Sequence, residues 1–429
     1  MKRTLSAFAA SGLIQVLGFF TGVVTARVLG PEARGELASI MSVTLLGALI
    51  FSLSVNEATV YRAARAQDRL ELTRVITASA ALSVGLALAA ILAVAFWQRW
   101  LLPSALWLPA AVFLAIIPLN YLAQLCVAFA QTQLGAGQWT LLRITPPIVV
   151  AGAATAFLGS GLQLSPIAFL LAYLVANVAV VTLGVTMFNR QRYILALPSW
   201  DDLRSLAWFG SRVHTSTVLL SSRDHIDRII ITIMLSSASL GQYVAAGSLA
   251  SLLLLFGHTA DLIMFPAIAR ALDQDQARQR FCEFTRASLL LIVVGAVTLA
   301  AASERLTLTL FGPSFTDAAS IAPLMIAAAA VIAFKTVLAS GLKARNAPMR
   351  IAVIEAVTLA IILFLTPALV SQFGAYGAAA GAVGAQSISL IFLVYAVRHQ
   401  FSCSLQELLV VQIGDLRKLR AYLARRDDA

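Results

Sequence analysis

Charge is what this chain is short of. Only 12% of its 429 residues are Asp, Glu, Lys or Arg, against roughly 25% in an average soluble domain, while 60% are apolar. A water-soluble fold could not enclose that much apolar surface, so soluble enzymes and soluble binding modules are excluded first. Cysteine is scarce too. Cys126, Cys282 and Cys403 show no CxxC or zinc-like spacing, so neither a disulfide nor a metal site is expected, and no cofactor either. Long polar stretches are also missing: the connections between apolar runs are short, the largest covering 189–212, which leaves no room for a soluble catalytic domain and predicts a chain that is not an enzyme.

What the chain has instead is apolar length. About 20 mainly apolar residues cross a bilayer as a helix. Splitting the sequence at its charged, Pro-rich and Gly-rich breaks predicts twelve spans, near 5–28, 37–60, 75–96, 109–131, 144–162, 166–188, 213–235, 243–266, 287–310, 321–342, 351–370 and 378–397. The runs are continuous rather than alternating, which predicts helices and not a barrel. The fold class expected is therefore an all-α integral membrane protein. "MKRTLSAFAASGLIQVLGFF" begins with the basic-then-apolar order of a signal peptide, but its apolar run continues for a full span and reads as an uncleaved first helix.

The formal charge of +11 comes from 31 Lys and Arg against 20 Asp and Glu. In a soluble protein that excess would suggest nucleic acid; here it follows from where the basic residues lie. They cluster at 62–74, 190–212, 270–286, 343–350 and 398–426, all on one side of the twelve-span arrangement, while the opposite loops hold only Arg34 and Arg99. This bias orients membrane proteins with short loops, and it predicts both termini in the cytoplasm.

A weak repeat divides the chain. Aligning "ARVLGPEARGELAS" (26–39) with "TIMLSSASLGQYVA" (232–245) sets Leu29 on Leu235 and Gly35 on Gly241, and further on Arg143 falls on Arg350. With six spans per half, the halves share one orientation and are related about the membrane normal. The expected division is a six-helix bundle in 1–198, a second in 199–400, and a basic cytoplasmic tail in 401–429.

Four stretches, "ARVLGPEARGELA", "IDRIIITIMLSSASLGQYVAAGSL", "LTLTLFGPSFTDAASIAPLM" and "FGAYGAAAGAV", are spread over the whole chain. In them the sequence resembles the polysaccharide or oligosaccharide flippases (Wzx-like) of the multidrug/oligosaccharidyl-lipid/polysaccharide exporter superfamily. The resemblance implies two six-helix bundles around a central cavity. It also implies alternating access, ion-coupled, that carries a polyprenyl-pyrophosphate-linked oligosaccharide across the bacterial inner membrane for surface polysaccharide biosynthesis. The implied partners are that lipid-linked substrate and a polysaccharide polymerase or another glycan-assembly protein.

Charged side chains at mid-bilayer cost at least about 2.5–3.5 kcal/mol, so those inside the spans are the candidate site residues. "SSRDHIDRII" (221–230) concentrates them. Arg223 and Asp227 are four apart, as are Asp224 and Arg228, so the seventh span carries a polar face that must meet protein or water. Two readings stay open: the four residues neutralise one another, or Arg223 and Arg228 bind the carrier's pyrophosphate, for which the guanidinium fork is suited. Lys335 and Arg27 are further candidates for the anionic head group, although Lys335 lies at the depth of Glu355 and a structural pair is the alternative. Asp224, Asp227, Glu57 and the His258/Asp261 pair are candidates for ion coupling. "GFFTG" (18–22) and "GAAAG" (377–381) match GxxxG and predict close helix packing.

The alternatives separate by charge and by loop length. A drug or cation antiporter of the same superfamily should carry an acidic site, whereas basic residues accompany the acids here. A glycan polymerase should present a substantial outer loop, and a scaffold in a glycan-assembly complex should tolerate loss of the intramembrane charges.

Overall fold

The computed structural model describes residues 2–160, 165–191, 196–269, 273–345 and 347–410. Among these the chain is helical and contains no strand. The first helices are α1 (Lys2–Phe51), α2 (Val55–Ala63), α3 (Arg69–Leu101), α4 (Trp107–Phe113), α5 (Ile116–Gln133), α6 (Ala136–Ser160) and α7 (Pro166–Arg190). They are followed by α8 (Trp200–Met234), α9 (Ser237–Ala250), α10 (Leu254–Ala269), α11 (Gln274–Phe311), α12 (Thr316–Ala344), α13 (Pro348–Phe401) and the short α14 (Leu405–Leu409).

Nine described segments are long and apolar enough to cross a bilayer. Two of them, α1 and α13, are each a pair of helices meeting at a glycine: Gly30 at φ 71° and Gly374 at φ 59°. Both angles lie in the region that Cβ-bearing residues avoid, so glycine is what allows the chain to turn there without a loop. Helix α8, 35 residues long, also has the length to cross, and its charges keep its mean hydropathy down. The twelve expected spans are thus accommodated.

Three expected spans are interrupted, the eighth, 243–266, by a tight turn at Ser251–Leu253 between α9 and α10. The second, 37–60, breaks between α1 and α2, where Leu53 (φ 46°) and Ser54 (φ 49°) are left-handed although neither is glycine. The break is held from α8. Gly210 lies so close to the Leu53 carbonyl that a Cβ would sit 2.3 Å from it. His214 Nε2–H donates to the Ile50 carbonyl at 2.8 Å, which leaves Nδ1 to accept from Ser54 Oγ–H at 3.3 Å. The fourth, 109–131, is interrupted between α4 and α5 at Leu114–Ala115.

The chain forms two compact units, Met1–Ala245 with Leu310–Ser314, and Ala246–Thr309 with Phe315–Ala429. The first is built on α1, α3 and α5 to α8, around a core that includes Leu37, Ile40, Val94, Phe113, Ile117 and Phe169. Phe157 meets Phe169 edge to face at 5.1 Å. The second packs α10 to α13 around Phe281, Phe334, Leu338, Leu342 and Phe401, with Phe281 and Phe401 stacked at 4.2 Å. Large apolar side chains point outward as well: Leu92, Phe96 and Trp100 on α3, and Phe364, Ile391 and Tyr395 on α13, are each at least 60% exposed. An apolar belt of that kind is tolerated in lipid and not in water.

Candidate functional site

Two adjoining cavities of the first unit, of about 340 and 480 Å³, share Asn56, Glu57, Asn120 and Gln124. Their construction follows from the broken second span. Because the chain leaves the helix at Ser52 and restarts at Val55, α2 sets Asn56 and Glu57 in the cavity wall, beside Ser52 at the break itself. Helix α5 supplies the facing wall. Asn120, Gln124 and Gln131 are four and then seven residues apart, which at about 100° per residue places them within about 40° of one another on one face. Asn177 of α7 and Arg143 of α6 complete the larger cavity, while His225 of α8 lines the smaller.

These groups are already ordered by one another. Asn56 Nδ2–H donates to Gln124 Oε1 at 3.0 Å, and Gln124 Nε2–H donates to Asn120 Oδ1 at 3.0 Å. Tyr121, in the smaller cavity, is anchored by its hydroxyl to the Ala48 carbonyl. Glu57 Oε2 is buried with no donor among the described residues. The Arg143 guanidinium lies over the Trp139 ring, 4.7 Å from its centroid.

Helix α8 is fixed at its start by a reciprocal cap. Ser199 Oγ accepts from the Asp202 amide, and the Asp202 carboxylate accepts from the Ser199 amide at 3.0 Å and its hydroxyl at 2.7 Å. Burial pushes the Asp202 carboxyl up, but these bonds, with Arg74 and Arg62 nearby, prevail and hold it below the usual aspartate value. The charged cluster lies further along α8. Asp227 accepts from the Tyr243 hydroxyl at 2.5 Å and from the Arg228 amide at 2.8 Å. Arg228 and Arg34 lie within electrostatic reach of each other and of the Tyr173 phenol. Arg223 is half-buried on the same helix, and the Asp224 side chain falls outside the described residues.

The other sequence candidates lie elsewhere. Arg27 is exposed, and its Nε–H donates to the Leu310 carbonyl. In the second unit Lys335 is 3% exposed, ion-paired to Glu355 at 3.0 Å and donating to Gln386 Oε1 at 2.8 Å. His258 is exposed, and Asp261 accepts from Lys343 at 3.4 Å. Cys403 lies beside Cys282, whose thiol holds that of Cys403 below the usual cysteine value.

The sequence reading did not single out Asn120, Gln124, Gln131, Asn177, Arg34 or Tyr173. The α5 amides carried a usable signal, since polar residues recurring at four and seven positions inside an apolar run mark one helix face. Arg34 was assigned to an outer loop; the turn takes a single residue, Gly30, so Arg34 belongs to the second half of α1.

A model of the family described as "Polysaccharide biosynthesis protein" matches residues 24–320. The "Probable low-salt glycan biosynthesis flippase Agl15" of Haloferax volcanii is 24% identical over 293 residues, covering 67% of this chain. The match spans only 60% of that relative's length. Two solved structures share the fold. One is a "Lipid II flippase MurJ, inward closed conformation" (TM-score 0.76, 14% identity, 92% of this chain and 89% of that one). The other is an inward-facing "multidrug resistance MATE family transporter of the MOP superfamily" (TM-score 0.75, 12% identity, 91% and 96%). A multi-span helical chain with this fold, matched by the family model over most of its length, belongs to the polysaccharide biosynthesis protein family.

Proposed function

We propose that the chain is a flippase that moves a polyprenyl-pyrophosphate-linked oligosaccharide across the bacterial inner membrane by alternating access, with both termini cytoplasmic and without enzymatic chemistry. The observation that carries this reading is the character of the chamber in the first unit. Inside an apolar bundle it is lined by amides and, among the described residues, by one carboxylate, Glu57, together with Arg143 and His225. A drug-cation antiporter calls for an acidic chamber, and this one is not acidic. Membership of the polysaccharide biosynthesis family and the flippase named among the relatives support the same cargo class.

In this reading Arg223 and Arg228 hold the pyrophosphate, with Arg27 as a further cationic contact, while Lys335, expected from the sequence to join them, is a structural partner of Glu355 in the second unit. Asp224, Asp227, Glu57 and the His258/Asp261 pair are where a coupling ion would act. A polysaccharide polymerase, or another glycan-assembly protein, takes the delivered unit.

In cells lacking the gene, the lipid-linked oligosaccharide should accumulate and surface glycan should disappear. The wild-type gene restores the glycan, and Arg223→Ala with Arg228→Ala, at wild-type protein level, does not. Full glycan from that double variant would refute the pyrophosphate assignment.

A further inference from the structure

We propose that the amide ladder Asn56–Gln124–Asn120, extended by Gln131 and Asn177, is a binding site for the hydroxyl groups of one sugar unit of the cargo. The proposal rests on the flippase reading, because the sugar reaches the site on its lipid carrier.

The hydrogen-bond inventory supports it. Each carboxamide offers two N–H donors and a carbonyl with two lone pairs. Within the ladder Asn56 gives one donor to Gln124, and Gln124 gives one to Asn120. That leaves the Asn56 carbonyl, the Asn120 amide hydrogens and the second Gln124 N–H for a ligand. A hydroxyl both donates and accepts, so it matches such mixed groups, whereas a phosphate calls chiefly for donors and a hard cation such as sodium or magnesium for oxygen acceptors.

Two further observations favour a neutral, hydroxyl-bearing ligand over a charged one. Asn120 Oδ1 and Gln124 Oε1 each already accept from a neighbouring amide, and among the described residues Glu57 is the one carboxylate lining either cavity. The one guanidinium, that of Arg143, is stacked on Trp139. The size also fits: cavities of about 340 and 480 Å³ fall within the ~300–1,000 Å³ typical of small-ligand sites. The lining is apolar where a pyranose needs it to be. Leu45, Leu49, Tyr121 and Leu125 border the polar groups of the smaller cavity and can cover the C–H face of a ring.

The ladder joins α5 to the first turn of α2, just after the break at Leu53–Ser54.

The test uses the full chain purified in lipid nanodiscs, titrated with undecaprenyl pyrophosphate and with the same lipid carrying glucose, galactose, N-acetylglucosamine or rhamnose. At least one glycosylated lipid should bind about tenfold or more tighter than the bare lipid, the worth of one to two net hydrogen bonds. In Asn120→Leu with Gln124→Met, isosteric replacements that remove the amides, this ratio of glycosylated to bare lipid should fall close to one. A melting curve within a few degrees of wild type would show that the variant is folded. A single-site variant, Asn120→Leu, serves if the double variant is not. A ratio near one for every sugar in the wild type overturns the proposal, as does a ratio that survives loss of the amides. Affinity that follows sodium concentration rather than sugar would assign the ladder to a coupling cation and overturn it too. Failure of all the lipids to bind, bare one included, would instead strike the flippase reading itself and remove this proposal with it.

Discussion

Lys335 shows how much one residue's surroundings decide. Its ammonium is buried between Glu355 and Gln386, so both charges are satisfied within the second unit. Removing one partner of a buried pair leaves the other charge desolvated, which costs about 3–5 kcal/mol, whereas replacing both is often neutral. Lys335→Met alone should therefore lower the melting temperature sharply, and adding Glu355→Gln should restore most of the loss. Equal melting temperatures for the single and double variants would show that the pair is not coupled.

The sequence offered Lys335 and Glu355 at similar depth, so this pair was legible. The α5 amides went unnoticed although they recur on one helix face, whereas the charges of α8 stood out. The reason is cost: a charge in lipid is expensive enough to draw attention, while an amide is cheap enough to pass as packing. Asp227 was legible as a charged residue but not as the acceptor of Tyr243, because no spacing rule links positions on two different helices.

At the scale of elements, the weak repeat proves physically informative. A Cβ on Gly35 would lie 1.7 Å from the Ser237 carbonyl, and one on Gly241 would lie 1.8 Å from the Pro31 carbonyl. The contact is reciprocal, and it runs between the very positions that the repeat aligns, Pro31 with Ser237 and Gly35 with Gly241. Helix α1 and helix α9 thus approach backbone to backbone. Gly152 on α6 has open space around it.

Gly35→Val should therefore destabilise by at least about 1–3 kcal/mol, the usual cost of overpacking. Gly152→Ala should be stabilising by about 0.5–1 kcal/mol, because a helix interior favours alanine. Thermal unfolding of both variants in detergent checks the pair, and similar behaviour at the two sites would contradict the packing argument. Of the two GxxxG matches, "GAAAG" is used. Gly377 comes so near the Leu369 carbonyl that a Cβ would sit 2.0 Å away, while Gly18 of "GFFTG" meets nothing within 4 Å. The break at Leu53–Ser54 was not legible, since neither residue favours positive φ. It is imposed by Gly210 and His214, about 160 residues further along the chain.

For the whole molecule, the helical membrane class followed from composition and run length alone, because lipid permits few ways to satisfy a backbone. The turns at Gly30 and Gly374 were harder to place, since a one-residue turn leaves no polar loop to mark it. The chamber was hidden for a related reason. It exists only because α2, α5, α6 and α7 bring together side chains spread from Asn56 to Asn177.

The central claim, that this chain moves a lipid-linked oligosaccharide, is tested most directly by reconstitution. The purified full chain would be placed in liposomes containing a fluorescent polyprenyl-pyrophosphate oligosaccharide in both leaflets, and a membrane-impermeant quencher would then be added. If the chain is a flippase, inner-leaflet probe becomes accessible over time and quenching goes well beyond the outer-leaflet fraction, and Arg223→Ala with Arg228→Ala slows it severely. Quenching that stops at the outer-leaflet fraction, as in protein-free liposomes, would contradict the account.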